Sequence, residues 1–426
     1  MFGWEFPPHM SGGLGTACYG LTRGLVNQGV DIVFVLPKLW DDITETHVRL
    51  VGANRYRAKI SMEEFKTFKE KISFLQIDSP LRPYITEKDY QYILKKENQN
   101  ENNKLETYSE ISSELEGGYG PNLMNEIWRY SIIAGFISKT EEFDIIHAHD
   151  WITYLAGIEA KKISGKPLIV HSHALEFDRS GDNINQNVYN IEKKGLEHAD
   201  LIIAVSHYTK GRIIKHYGIP ENKIRVVHNA VSKERRLKRL QIKKSIKEDI
   251  VLFLGRITFQ KGPDYFVEAA YRVLKKYKGV RFVMAGHGDM FERMVLQVAK
   301  LRIADHFHFL GFLDKEYIER IYAMSDIYVM PSVSEPFGIT PLEAMVHNVP
   351  IILSKQSGVA EVLDHAVKID FWDVEKMAEK IIELLKYPEL TKKIVDAGSM
   401  QLKNIKWDIA AEKTKILYDE ILYAKN

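Results

Sequence analysis

Near the end of the chain two glutamates bracket a turn: EPFGITPLE runs from Glu335 to Glu343. It follows the apolar run IYVMPS, Ile327 to Ser332, and leads into a helical pattern. A strand, a turn and a helix opening place backbone N–H groups and two carboxylates at the carboxyl end of a sheet, where ligands bind in open α/β folds. A helix N-terminus there favours anions. Glu335 is suited to accept hydrogen bonds from sugar hydroxyls, and Glu343, about two turns further on, from a ribose diol. Taken alone, the same stretch fits a surface turn with two solvated glutamates.

Three further segments suit a phosphate-bearing ligand. SGGLGTA, Ser11 to Ala17, sits before the first helical pattern, and its glycines let backbone approach a phosphate closely. It is neither a P-loop nor a G-x-G-x-x-G fingerprint. GRITFQKG, Gly255 to Gly262, follows a strand pattern and offers Arg256 as a forked donor and Lys261 as a point charge. Two such cations suit a pyrophosphate and can neutralise a leaving diphosphate without a metal. AGHGD, Ala285 to Asp289, is a second strand-end turn, in which Gly286 shapes the nucleotide site through its backbone and His287 lies on the rim.

Histidines close two strand patterns, HAHDW at His147 to Trp151 and HSHALEFD at His171 to Asp178. With Asp150, Glu176 and Asp178 they offer metal-ligand types, but neither cysteines nor an H-E-x-x-H spacing accompanies them, and no metal is expected. Alternate strand positions face opposite ways. On that reading His149 and His173, at the strand tips, reach the cleft, whereas His147 and His171 hydrogen-bond within the core. Asp150 would fix a histidine tautomer or bind an acceptor hydroxyl.

Strand-like and helix-like runs alternate throughout, which predicts parallel α/β layers. Strands are expected at 30–37, 71–77, 143–149, 167–173, 200–206 and 223–229, then at 249–256, 280–286, 306–311, 327–332 and 349–354, with helices at Thr16 to Gln28, Asn122 to Ser138 and Trp407 to Tyr423. The opening residues leave room only for a very short first strand, unless the start lies upstream. The polar stretch within 78–121 reads as an inserted loop, and the basic stretch 232–249 as a linker. At 426 residues, two domains are expected: 1–232 joined by the C-terminal helix 407–426, and 233–406. The hinge is placed at 230–233 and 404–407.

A net charge of +2 argues against nucleic-acid binding through overall charge. A lone cysteine, Cys18, cannot form an intrachain disulfide and suits a reducing cytoplasm. No run approaches the roughly 18 apolar residues of a membrane span, and peripheral membrane contact stays open.

Together, SGGLG, HAHDW, HALE, GR-x4-KG and EPFGITPLE resemble the retaining nucleotide-sugar glycosyltransferases of the GT-B fold. The likeness is to the group that includes sucrose synthase and sucrose-phosphate synthase, and beyond it to the bacterial glycogen and starch synthases. The latter carry a lysine before their glycine pair where this chain has Ser11. The resemblance implies two doubly wound Rossmann-like domains facing a cleft, with the C-terminal helix crossing back. It implies that Gly13 contacts the donor diphosphate, that Arg256 and Lys261 hold it, and that Glu335 binds the donor sugar. Backbone N–H groups of Phe337, Gly338 and Ile339 would lie near the diphosphate and Glu343 at the ribose. His173 would bind the donor sugar, with His149 and Asp150 beside the acceptor. The expected activity is hexosyl transfer, from UDP- or ADP-glucose to a carbohydrate such as an α-glucan, with no cofactor beyond the donor substrate. The rival expectations are a mannosyl- or galactosyltransferase of surface polysaccharide or glycolipid synthesis, and a nucleotide-sugar epimerase.

Overall fold

The computed structural model describes residues 1–9, 12–40, 46–56, 115, 117, 119, 122–232 and 246–423. The strand expected at 71–77, most of the inserted stretch 78–121, Ser11 and most of the basic linker lie outside the described residues.

The first half alternates strand and helix. Helix α1 (Gly13–Asn27) is followed by strands β1 (Val33–Leu36) and β2 (Arg49–Gly52), then α2 (Leu123–Thr140) and β3 (Ile146–His149). Next come α3 (Trp151–Ser164), β4 (Leu168–Ser172), α4 (Glu176–Ser180), α5 (Gln186–His198), β5 (Leu201–Ala204), α6 (His207–Tyr217) and β6 (Ile224–Val226). All strand pairs are parallel, in the orders β1-β2 and β3-β4-β5-β6. Phe2 joins the two groups by single parallel bridges to Val35 and Ala148. Every residue of β3, β4 and β5 is buried, as a parallel sheet covered on both faces requires.

The second half contains β7 (Asp249–Leu254), α7 (Pro263–Lys276), β8 (Val280–Ala285), α8 (Phe291–Lys300), β9 (Phe307–Gly311), α9 (Lys315–Met324) and β10 (Ile327–Met330). It ends with α10 (Thr340–Val346), β11 (Ile351–Ser354), β12 (Val367–Ile369), α11 (Val374–Lys386) and α12 (Pro388–Gln401). Its six-stranded parallel sheet runs β12-β11-β10-β7-β8-β9. Helix α7 shows how sequence selects an element here. Pro263 stands at its first position, where no N–H is needed. Phe266, Val267, Ala270, Val273 and Leu274 recur on one face and are buried against the sheet and α11.

Helix α13 (Trp407–Tyr423) packs on α1 of the first half. A Cβ on Gly20 would lie 2.2 Å from the Trp407 ring, and one on Gly24 would lie 2.8 Å from Ala411. The two glycines let the helices approach closely and fasten the chain's end to its beginning. Both sheets point their strand carboxyl ends toward the loops that carry the chemistry-bearing residues. Among the described residues no helix is long and apolar enough to cross a membrane.

Candidate active site

The second half contributes the turns after β7, β8 and β10. Gly255 and Gly286 close β7 and β8 with φ of 155° and 132°, a region that disfavours side chains. They touch backbone to backbone, so a Cβ on Gly286 would sit 1.8 Å from the Gly255 carbonyl oxygen. That contact sets the floor from which Arg256 rises. Arg256 donates through Nη2 to Gln260 Oε1 at 2.9 Å. A 3₁₀ turn over Phe259–Lys261 then carries Lys261 to the end of β10, where its ammonium pairs with the Glu335 carboxylate. The Lys261 side chain keeps 19% of its exposure and that of Glu335 only 7%, so a charge pair lies in a recess rather than on the surface. Lys261, Gly255, Tyr328, Ser332 and Thr340 line that recess.

Glu335 is fixed through its backbone as well. Its N–H donates to Gln356 O at 2.9 Å, and its carbonyl accepts from Gly358 N at 2.9 Å. Phe337 is buried, and its carbonyl accepts from Val359 N at 2.8 Å. Gly338 follows with φ of 93°, and Ile339 caps α10. Glu343 lies in the first turn of α10, with the Tyr322 hydroxyl 3.5 Å from its Oε2. Thr340 Oγ1, at the start of the helix, accepts from the Tyr328 hydroxyl at 2.8 Å. The two glutamates thus occupy opposite ends of a turn-helix unit, one paired and buried, the other partly open.

On the first half, helix α1 starts at Gly13, three residues before its expected start at Thr16, so the glycine pair is the helix N-terminus itself. Gly12 and Gly13 are exposed, with open space where a side chain would project. Glu5, which sequence reading did not single out, is buried beneath them and accepts from Gly15 N at 3.0 Å. A carboxylate at a helix N-terminus leaves no periodic signature in sequence.

The histidines depart from expectation. Residues two apart on a strand share a face, and His147, His149, His171 and His173 form a single cluster. Rings 147/149 and 171/173 stack at 4.3 Å, and 149/173 lie 5.4 Å apart. Depth along the strands, not face, separates them. His147, His149 and His171 are buried, while His173, one residue beyond β4, keeps partial exposure. His149 Nδ1 lies 3.2 Å from His173 Nε2, so His149 backs His173 instead of lining the cleft directly. His147 bridges the Tyr418 hydroxyl of α13, at 2.5 Å, and His171 Nδ1, at 3.3 Å. Burial, reinforced by the neighbouring imidazoles, holds the first three well below the ordinary histidine range, and burial lowers His173 to about 3. The cluster is therefore neutral at physiological pH, with each ring a donor and an acceptor.

Asp150 caps α3 at φ 64°, a conformation rarely adopted outside glycine and one that concentrates at functional sites. Its Oδ1 accepts from Ala174 N at 3.3 Å, while the buried Oδ2 has no hydrogen-bond partner among the described residues. Burial raises its carboxyl to about 6, against the opposing pull of Arg179. Glu176 of the HALE segment faces inward, where Arg179 bridges it to Glu192.

Two triads, Cys18/His149/His173 and His147/His149/His171, bring ligand-type atoms within 4.8 Å of one another. Imidazole lone pairs lie in the ring plane, and the histidine pairs that stack or tilt across the cluster have planes within 18° to 38° of parallel.

The halves meet beside this site. Ser334, the residue before Glu335, donates to Asp178 Oδ1 of α4 at 2.6 Å. The strand end bearing His173 and the segment bearing Glu335 therefore flank one cleft.

Residues 234–400 match the family model described as glycosyl transferases group 1, and residues 110–235 match that described as glycosyltransferase family 4. An uncharacterised glycosyltransferase of Methanocaldococcus jannaschii is 27% identical over 89% of this chain and 86% of its own length. Sucrose-phosphate synthase of Thermosynechococcus elongatus superposes with a TM-score of 0.70 at 17% identity, over 97% of this chain and 94% of that one. HepE of Anabaena, solved with UDP-glucose, gives a TM-score of 0.58 at 19% identity over 69% and 82%. The architecture is the GT-B fold.

Proposed function

We infer that this GT-B glycosyltransferase of group 1 moves a hexosyl group from a nucleoside-diphosphate sugar to a carbohydrate acceptor, with retention of anomeric configuration. The observation that carries the reading is the Lys261–Glu335 pair in a recess at strand carboxyl ends, with Arg256 rising from the same turn. The donor diphosphate lies against Arg256, Lys261 and the exposed N-terminus of α1 at Gly13. Lys261 then faces both the diphosphate and Glu335, which accepts from the sugar hydroxyls. Glu343 takes the ribose diol. As the bond from the anomeric carbon to the phosphate oxygen lengthens, charge grows on that oxygen, and fixed cations stabilise it more than they stabilise the ground state. The acceptor hydroxyl attacks from the leaving-group face, and its proton passes to the departing diphosphate. His173, neutral and held by His149, donates to or accepts from the donor sugar. Asp150 Oδ2 is available to an acceptor hydroxyl. The reaction needs no metal on this reading.

Glucose is the proposed sugar, because the motifs resemble those of sucrose and glycogen synthases and a neighbour of the same fold holds UDP-glucose. Helix α2 buries Ile127, Tyr130, Ile133 and Ile137 in the core, so its apolar face is not offered to a lipid surface. The test is a donor screen by nucleotide release, with UDP-, ADP- and GDP-sugars against maltooligosaccharides, glycogen and lipid-linked acceptors. Release with UDP- or ADP-glucose and a glucan is expected. Release only with a GDP-sugar, or only with a lipid acceptor, would replace the substrate assignment, and no release with any donor would remove the transferase reading.

A further inference from the structure

We propose that the first domain positions Glu335 through a buried clamp on the peptide units flanking it. The proposal rests on the transferase reading above for its catalytic consequence, and on geometry alone for the clamp.

Two hydroxyls of the first domain, Ser206 and Thr209, are completely buried. Both donate to one carbonyl of the second domain, Pro336 O, at 2.6 and 3.2 Å. A carbonyl oxygen has two lone pairs, so this acceptor is saturated from across the domain boundary. Ser206 simultaneously caps α6, accepting from Thr209 N at 2.9 Å. Pro336 is the residue after Glu335. The residue before it, Ser334, is held by Asp178 at 2.6 Å and by the Tyr208 hydroxyl at 2.9 Å, and Arg212 Nε lies 3.0 Å from the same Asp178 oxygen. Both neighbours of Glu335 are therefore gripped by the other domain, while its carboxylate is paired within its own.

A second grip lies behind the first. Glu361 of the second domain accepts from His207 N at 2.9 Å and Tyr208 N at 2.7 Å, supplying partners for N–H groups that the first turn of α6 leaves unpaired. It also meets His228 Nε2 at 2.8 Å. Gly358 makes the fit possible. A Cβ there would lie 2.2 Å from Pro336 O and 2.6 Å from Ser206 Oγ. No clamp residue needs to touch substrate; each acts by placing Glu335. In this arrangement the carboxylate is set for the donor sugar only while the domains are engaged, which links closure to competence.

The test uses the full chain and two readouts. The variants are S206A/T209V, and separately Tyr208→Phe and Glu361→Gln, which remove one hydroxyl or one charge and decide the question if the double variant fails to fold. Hydrogen–deuterium exchange is followed at the amides of Val333, Glu335, Gly358 and Val359, with and without UDP. Turnover of UDP-glucose is measured in parallel. The clamp predicts about tenfold faster exchange at those amides, with β7 and β8 unchanged. It predicts a fall in kcat of about 10²-fold, since small misplacements cost that much, with KM altered by less than about threefold. Exchange equal to wild type in the folded variants would overturn the clamp. Faster exchange with unchanged kcat would overturn its role in positioning Glu335. Absence of wild-type turnover with UDP-glucose would move the kinetic readout to the donor the screen identifies, and absence with every donor would remove the transferase reading and leave the exchange result to decide the clamp.

Discussion

Replacing Lys261 by methionine should damage folding and catalysis together, and a second substitution should separate the two. Lys261 is the cation paired with Glu335, whose side chain is only 7% exposed. The nearest other listener to that carboxylate is the Ser332 hydroxyl, at a long 3.4 Å. Removing one partner of a buried pair leaves the other charge uncompensated and typically costs 3–5 kcal/mol. Lysine's remaining exposure places this pair at the lower end, about 3 kcal/mol. Lys261→Met should lower unfolding free energy by about that amount in urea denaturation without ligand. Glu335→Gln leaves the lysine free to reach solvent and should cost about 1 kcal/mol. K261M/E335Q removes both charges and should cost only about 1 kcal/mol, recovering most of the loss and giving a coupling energy of about 3 kcal/mol in the double-mutant cycle. Transfer should not recover. Loss of a cation facing the leaving diphosphate should reduce kcat by roughly 10²–10³-fold in K261M, and the double variant should be no better. Stability of K261M within about 0.5 kcal/mol of wild type, or additive losses in the double variant, would refute the pair as a buried, coupled unit.

Three other outcomes follow from the same geometry. Gly286→Ala should destabilise the fold by about 2 kcal/mol or more and weaken UDP binding measured by calorimetry, because its Cβ would meet the Gly255 carbonyl at 1.8 Å with φ at 132°. The four imidazoles are held neutral in the fold, so unfolding takes up protons below about pH 6.5, and their contribution to stability is present above that pH and lost as pH falls toward 3. Asp150 and Glu192, raised to about 6 and about 8 by burial, and Asp178, also raised, act in the opposite sense. His171→Asn should reduce the proton uptake on unfolding between pH 6 and 5 by about one proton, or about 1.4 kcal/mol per pH unit in urea titrations; an unchanged slope would contradict a neutral His171. His173→Ala should cut transfer sharply while lowering Tm little, whereas His147→Ala should do the reverse through its lost bond to Tyr418, as melting curves and rates on both variants would show.

Much of the fold was legible because parallel strands buried on both faces write continuous apolar runs, as in Ile250–Phe253 and Ile351–Leu353. The turns were legible for a different reason: Gly255, Gly286 and Gly338 adopt backbone angles that few other residues tolerate, and their spacing from the strands marks the site. Three features were not. The histidine pairs were assigned to opposite faces, although a period of two puts His171 and His173 on the same one. The Lys261–Glu335 pair joins residues 74 apart, and no local pattern reports such a contact. Glu5 and the Ser206–Pro336 bond depend on tertiary approach across the molecule, for which isolated polar residues give no signal.

The most direct test of the account is the anomeric configuration of the first product formed under chelation. Wild-type enzyme is incubated in excess EDTA with UDP-α-glucose and a maltooligosaccharide, and the configuration of the new glycosidic linkage is read by proton NMR. Should the donor screen favour ADP-glucose, that sugar replaces it. The account predicts a product with the new linkage α, formed at the rate seen without chelator, together with stoichiometric release of the nucleoside diphosphate. A β-linked product would contradict front-face transfer, and activity abolished by EDTA and restored by Mn²⁺ or Mg²⁺ would contradict a leaving group held by Arg256 and Lys261 alone.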